Sequence, residues 1–158
     1  MKISHVCKIT LGVTALLVLS GTPCIAETVY EATITGSQVV PVTPSGAYGT
    51  VTLIVDDTGT EAAYTVNFAG LDGTQTAAHF HNAAPGENGS VLFTLPLGSP
   101  LAGMWPTTAF DVQELIGHRV YVNIHSDLYP EGEIRGDLEL TMVEDTETTW
   151  GGIKALYR

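Results

Sequence analysis

Apolar and polar residues alternate with a period of two in short runs along most of the chain. Successive side chains of a β-strand point to opposite faces, so this alternation is typical of strands with one buried face. Gly, Pro and Asp separate the runs, as turns require. The runs are VYEATITG (29–36), GTVTLIVD (49–56), AAYTVNFAG (62–70), AAHFH (77–81), SVLFTL (90–95), RVYVNIH (119–125) and GEIRGDLELTM (132–142).

The spacing of these runs predicts an all-β fold, an antiparallel β-sandwich with Greek-key-like connections and about seven to nine short strands. One short helical turn is predicted in TAFDVQELIG (108–117), with Asp111 as its N-terminal cap and Gly117 as its end. The segment VVPVTPSG (39–46) contains two prolines, which a central strand does not tolerate. We therefore expect a loop or an edge strand there.

The two ends of the chain depart from the strand pattern. Residues 1–26 place Lys2 and Lys8 before an apolar run and end in a small residue, which predicts a secretory signal peptide. The apolar run is shorter than a bilayer span, so we expect no membrane insertion after its removal. Residues 143–158 form an acidic linker and the peptide WGGIKALYR, which either binds a protein partner such as a sorting machinery or is a frayed tail. The predicted domain spans residues 27–142.

Charge and cysteine content narrow the classes of partner. The chain has 6 basic and 17 acidic residues, and two of the basic ones lie in the predicted signal peptide, which leaves a net charge of about −13. Such a surface repels nucleic acids and anionic membranes, so neither is expected as a partner. Both cysteines, Cys7 and Cys24, also lie in the signal peptide. We expect an exported protein, periplasmic or extracellular, without disulfides.

Two histidines lie one residue apart in the run AAHFH. In a strand, His79 and His81 point to the same face and Phe80 points to the opposite one. This spacing allows two imidazoles to bind one metal ion. The motif alone is a weak signal that fits two ordinary polar residues better than two ligands, so a third ligand has to come from elsewhere in the chain.

A predicted hairpin supplies that third histidine. If Ile124 pairs with Ile134, then Asn123 faces Arg135, Tyr121 faces Asp137 and His125 faces Glu133, all on one polar side of the hairpin. A solvated sheet face would show the same segregation. Together with the HFH motif, however, the pattern favours a metal site with His79, His81 and His125 as ligands and with Glu133, Asn123 and Tyr121 beside them.

Three imidazoles without a thiolate favour copper, with zinc as the alternative ion. A three-histidine copper with an open position next to Arg135 resembles the copper half of copper-zinc superoxide dismutase. In that arrangement Arg135 is the candidate catalytic residue, because its charge would draw in and orient the superoxide anion. The predicted activity is therefore a copper-dependent, superoxide dismutase-like oxidoreductase.

Three stretches carry a resemblance to a known family. They are YEATITGSQVVPV, GLDGTQTAAHFHNAAPGENGSVLF and LIGHRVYVNIHSDLYPEGEIRGDL, within residues 30–140, and together they resemble the CHRD domain, named after chordin and common in exported bacterial proteins. The resemblance implies an all-β sandwich. Because chordin acts by binding growth factors, it also leaves open a non-catalytic binding or matrix module in which the His, Arg and Glu residues are structural.

Overall fold

A computed structural model describes residues 27–141. The predicted signal peptide and the C-terminal peptide lie outside these residues. None of the helices within them is long and apolar enough to cross a lipid bilayer. The strands are β1 (Thr28–Thr35), β2 (Tyr48–Val55), β3 (Glu61–Ala69), β4 (Gln75–Asn82), β5 (Ser90–Thr94), β6 (Leu101–Pro106), β7 (Val120–Ser126), β8 (Ile134–Asp137) and β9 (Glu139–Thr141), with one α-helix, α1 (Ala109–Ile116), and a short 3₁₀ turn (Gly36–Gln38).

All strand pairs are antiparallel, and the strands follow the order β5-β4-β7-β8-β1-β2-β3-β6, with β9 also paired to β1. The junction between the two halves of this sheet is narrow, because the register of β8 with β1 contains the single pair Thr35 and Arg135. The sheet curls until its two ends approach each other. The rings of Phe93 in β5 and Trp105 in β6 lie 5.7 Å apart. The predicted all-β fold is confirmed, in the form of a nearly closed, barrel-like sheet.

The core lies between the two halves of the curled sheet. Phe80 of β4 stacks on Trp105 at 5.2 Å and meets the Tyr64 ring edge-on at 5.9 Å. The other fully buried apolar side chains come from the inward positions of the strands, as the alternation predicts. They include Ile34, Leu53, Val66, Ala78, Val122, Ile124 and Ile134.

The structure departs from the predicted elements in two places. Strand β6, in the segment LAGMWP, was missed because Gly103 and Pro106 interrupt its pattern. It pairs with β3 alone, and an end strand tolerates proline. In α1 the N-terminal cap is Thr108, not Asp111 as predicted; Asp111 lies three residues further on and completes a capping box with Thr108. The predicted end of the helix at Gly117 is confirmed.

Loops cover the outer face of β4 and β7, where the histidines lie. Residues 83–89 connect β4 to β5 and fold over this face, and Asn88 Nδ2 donates a hydrogen bond to Val40 O at 2.6 Å. That bond joins the loop to the predicted proline-containing loop at residues 39–46, which is indeed irregular. The turn between β7 and β8 covers the face from the other side. A sheet face that would otherwise contact water is therefore mostly buried.

Candidate metal centre

Strand pairing brings the two histidine-containing segments together. Strand β4 lies beside β7 in a register that pairs His79 with Asn123, His81 with Tyr121 and Ala77 with His125. The predicted hairpin register is also observed, with Ile124 opposite Ile134 and Asn123 opposite Arg135. One potential ligand atom from each of the three histidines lies within 4.8 Å of the others. The structure thus places His79, His81 and His125 in one cluster.

The ring of His81 is held in the tautomer that a metal ligand needs. Its Nδ1 lies 3.1 Å from the backbone oxygen of Gly89, and because a carbonyl only accepts, Nδ1 carries the hydrogen. The lone pair therefore resides on Nε2. This atom is buried and has no hydrogen-bond partner among the described residues. An unpaired buried polar atom is costly, and an ion or a water molecule bound to this nitrogen would remove the cost.

His125 is oriented in the same way by a second carbonyl. Its Nδ1 donates to Pro130 O at 2.9 Å, so its Nε2 is free to accept. His79 Nδ1 lies 3.2 Å from that Nε2 and donates to it. Two nitrogens bound to one ion at 2.0–2.1 Å in tetrahedral geometry are roughly 3.3 Å apart, so this pair already has the spacing of two ligands. For both nitrogens to bind one ion, the hydrogen on His79 Nδ1 would have to move to Nε2 of the same ring.

The electrostatic environment favours neutral imidazoles. Burial lowers the pKa of His79, and the nearby His125 lowers it further. Burial likewise lowers the pKa of His81, against the opposing effect of its hydrogen bond to Gly89. Only neutral imidazole has a lone pair for a metal. Both rings are therefore in the neutral form at neutral pH.

Tyr121 contacts the cluster directly through its ring. It stacks on His81 with the ring centroids 4.9 Å apart and the planes at 7°. On the other side of the tyrosine, the guanidinium carbon of Arg135 lies 3.6 Å from the ring centroid. Arg135 is 1% exposed, and Tyr121 separates it from His81. The arginine is thus part of a buried stack beside the histidines.

The other two residues predicted beside the ligands make their hydrogen bonds elsewhere. Asn123 Nδ2 donates to Glu131 O at 3.0 Å, and its buried Oδ1 has no partner among the described residues. Glu133 is fully buried and accepts from Ser45 Oγ at 2.7 Å and from the backbone nitrogen of Asp72 at 2.5 Å. It therefore joins two loops to the β7–β8 turn.

The Glu133 carboxylate is charged in this environment. Burial raises its pKa, but hydrogen bonds from Ser126, Asp72, Ser45 and Gly73 outweigh that effect, and the net pKa is lowered. None of these donors belongs to a histidine. Glu133 therefore supports the frame of the site rather than the imidazoles themselves.

His118 lies apart from the cluster. It is exposed, has a positive φ of 54°, and its Nδ1 lies 3.0 Å from Glu139 Oε2. His118 precedes β7, which begins at Val120, so its side chain does not follow the alternation of that strand. His118 is therefore a natural control for experiments on the other histidines.

A groove of about 670 Å³ on the opposite half of the sheet offers a different kind of surface. Threonines and acidic residues of β1, β2, β8 and β9 form most of its lining, among them Glu31, Thr50 and Asp137, and the rest is Ala32, Val51 and Gln38. It contains no histidine and no unpaired buried polar atom. The chemistry of the described residues is thus concentrated at the three histidines.

The family model for the CHRD domain matches residues 30–138. The chain belongs to the CHRD domain family. The match covers more than half of the chain and includes all three histidines, Tyr121 and Arg135. Comparison with curated proteins and with solved structures gave no match. The function of this CHRD domain is therefore inferred from the geometry of its site.

Two features of the CHRD domain's site had no clear sign in the sequence. They are the backbone oxygens of Gly89 and Pro130, which orient the rings of His81 and His125. Backbone acceptors have no residue type to reveal them. In the sequence, the related signal is the glycine at position 89. The structure explains why a glycine is there, since a Cβ would overlap the backbone oxygen of Asn82.

Proposed function

We propose that this exported CHRD domain binds one copper ion through His79, His81 and His125, with zinc as the alternative ion. The observation that carries the proposal is the buried, unpaired Nε2 of His81 inside a cluster of converging imidazoles. Most buried polar atoms of folded proteins have a partner, so an unpaired ring nitrogen that faces two other imidazoles supports a bound cation there. Neutral nitrogen ligands without thiolate favour copper by the order of metal affinities.

The test is the metal content of the protein purified from the periplasm, measured by elemental analysis after loading and dialysis. We expect about one copper per chain for the wild type. His79→Ala and His125→Ala should each lose it while circular dichroism shows an intact fold. His118→Ala is the matched control and should keep it, because His118 lies outside the cluster.

The alternative is the non-catalytic binding module, in which the histidines only stabilise the sheet. No bound metal at any loading would support that alternative and refute the copper proposal. Equal metal loss in His118→Ala would also refute it, because the ion would then be bound on the surface.

Superoxide dismutation is a second candidate function, supported by the size of the ligand set. The cluster found among residues 27–141 has three histidines, which leaves a coordination position for an exogenous ligand. Dismutation needs an ion that cycles between two oxidation states, and copper supplies this chemistry. The three imidazoles would hold the ion, and the partly exposed His79 marks the side nearest to solvent.

Activity is tested by the rate at which the copper-loaded protein removes superoxide. The rate should exceed that of the same concentration of free copper and should vanish in His125→Ala. A rate equal to that of free copper would refute the enzymatic function and leave metal binding intact. The zinc-loaded protein is the control, because zinc has no redox cycle.

We also propose that the protein is exported and that its C-terminal peptide contributes to the binding of a partner or to the final location. Support comes from residues 1–26, which have the charge and apolar pattern of a signal peptide, and from the acidic remainder of the chain. The mass of the protein recovered from the periplasm should correspond to a chain that begins at Glu27. Deletion of residues 143–158 should change its partner or its final location and leave copper binding unaltered.

A further inference from the structure

We propose that Arg135 is a positioning residue of the metal centre, which holds the loop at residues 83–89 in place and through it fixes the ring of His81. This inference rests on the proposed metal binding. It assigns Arg135 a role through other residues, whereas the sequence predicted direct contact with an anion.

The donors of Arg135 are directed to protein groups. Nη1 donates to Glu87 O at 2.7 Å and lies 3.5 Å from Asn88 Oδ1, and both acceptors belong to the loop. Nε and Nη2 donate to Asp137 Oδ1 at 3.1 and 2.8 Å. Asp137 thus balances the buried charge and aims the guanidinium at the loop. The guanidinium thereby joins β8 to the loop through charge-assisted hydrogen bonds.

The loop in turn orients His81 through Gly89, the next residue after Asn88. Gly89 O accepts from His81 Nδ1 at 3.1 Å, and Gly89 N donates to the hydroxyl of Tyr121 at 3.1 Å. One peptide segment therefore contacts both the ligand and the ring stacked on it. If the segment shifts, His81 loses the acceptor that sets its tautomer.

Arg135 reaches His81 by a second route, through the tyrosine ring. The guanidinium lies over the Tyr121 ring and His81 stacks on the same ring, and the two residues come from β8 and β4, the strands on either side of β7. The three planar groups form a stack in which the arginine keeps the tyrosine, and hence the imidazole, in its plane. The loop and the stack both hold His81 in the orientation in which its Nε2 points into the cluster.

The decisive measurement is the tautomer of His81 in the metal-free protein, read from its ¹⁵N chemical shifts at about pH 8, where imidazoles are neutral. In the wild type we expect the hydrogen on Nδ1 alone. In Arg135→Gln we expect a mixture of both tautomers and faster hydrogen exchange of the Gly89 amide. An unchanged tautomer together with unchanged exchange would overturn the proposal and favour the direct role of Arg135 toward an anion.

The matched control is Arg119→Gln. It removes the same charge and breaks the ion pair in which Arg119 Nε donates to Glu114 at 2.7 Å, but its side chain contacts neither the histidines nor Glu87 and Asn88. The backbone oxygen of Arg119, which accepts from Ala83 N at the start of the loop, is kept in this variant. The His81 tautomer should not change in this variant. A change equal to that in Arg135→Gln would show a general effect of charge and overturn the proposal.

Two milder variants keep the proposal testable if Arg135→Gln does not fold. Asn88→Ala removes the side chain that joins the loop to Arg135 and to Val40. Tyr121→Phe keeps the ring and removes the acceptor of Gly89 N–H. Both should move the tautomer in the same direction as Arg135→Gln, and the proposal fails if neither does.

Copper binding separates this inference from the proposed function. If the wild type binds copper, Arg135→Gln should weaken the affinity about 10- to 100-fold, the usual effect of losing a residue that orients a ligand, and should broaden the copper EPR signal. Unaltered affinity and an unaltered EPR signal would overturn the inference. If the wild type binds no copper, the proposed function fails, while the tautomer measurement still decides the role of Arg135.

Discussion

The two faces of β4 and β7 are buried to similar extents but differ in composition. The core face presents Phe80, Val122 and Ile124, each fully buried. The opposite face presents Asn123 and His125, 3% and 9% exposed, next to the other histidines. The core face needs no partners because it has no polar atoms. We call this histidine-bearing side of β4 and β7 the metal face, after the proposed site. Every polar atom on it needs a partner, and His81 Nε2 and Asn123 Oδ1 have none among the described residues.

Burial therefore has different effects on the two sides of one sheet. On the core face it stabilises the fold through the hydrophobic effect. On the metal face it lowers the pKa of His79 and His81 and excludes competing water, at a cost of about 1–3 kcal/mol for each unpaired atom. The proposed ion would remove this cost for His81.

The largest expected effect comes from replacing one residue on each face. Phe80→Ala should destabilise the metal-free protein by about 3–5 kcal/mol, because it removes a ring packed on Trp105 and leaves a cavity. His79→Ala removes a partly exposed ring and one hydrogen bond and should cost about 1 kcal/mol. Urea unfolding followed by tryptophan fluorescence measures both. Equal losses would mean that the two faces support the fold alike.

A smaller effect is expected from the loop that covers the metal face. In Gly89→Ala the new Cβ would overlap Asn82 O, so the loop must move away from His81. Copper affinity should fall about 10- to 100-fold, as for other losses of a group that orients a ligand. Gly46→Ala is the control, because a Cβ there meets nothing within 4 Å. Isothermal titration with copper measures both, and equal affinities for the two variants would show that the loop does not matter.

The smallest and most gradual effect is the pH dependence of the metal face. The pKa values of His79 and His81 are lowered in the folded state, so the unfolded chain takes up protons first as the pH falls below about 6.5. The stability of the metal-free protein is therefore complete above that pH and is lost as the pH falls through the folded-state values. Copper affinity should fall in the same direction.

Urea unfolding at a series of pH values checks this sign. The double variant His79→Ala/His81→Ala should have a shallower slope between about pH 6.5 and 5, since the carboxylates are common to both proteins. A wild type that becomes more stable as the pH falls in this range would contradict the neutral state of the two imidazoles.

Much of the site could be predicted from strand alternation. It placed His79 and His81 on one face with Phe80 on the other, and it gave the observed partner of Asn123 in the β7–β8 hairpin. It succeeded because the direction of a side chain in a strand follows from local backbone geometry. It failed for β6, where glycine and proline hide an end strand, and for the cap of α1, where Thr108 and Asp111 share the task.

Strand alternation specifies which side chains share a face, because it is a local property of the chain. The placement of β4 beside β7, which brings His79 to His125 across 46 positions of sequence, depends instead on the folded chain. The fold also places the loop at residues 83–89 over the cluster and buries Arg135 behind Tyr121. These outcomes depend on long-range strand pairing and on backbone acceptors, and neither has a local pattern in the sequence.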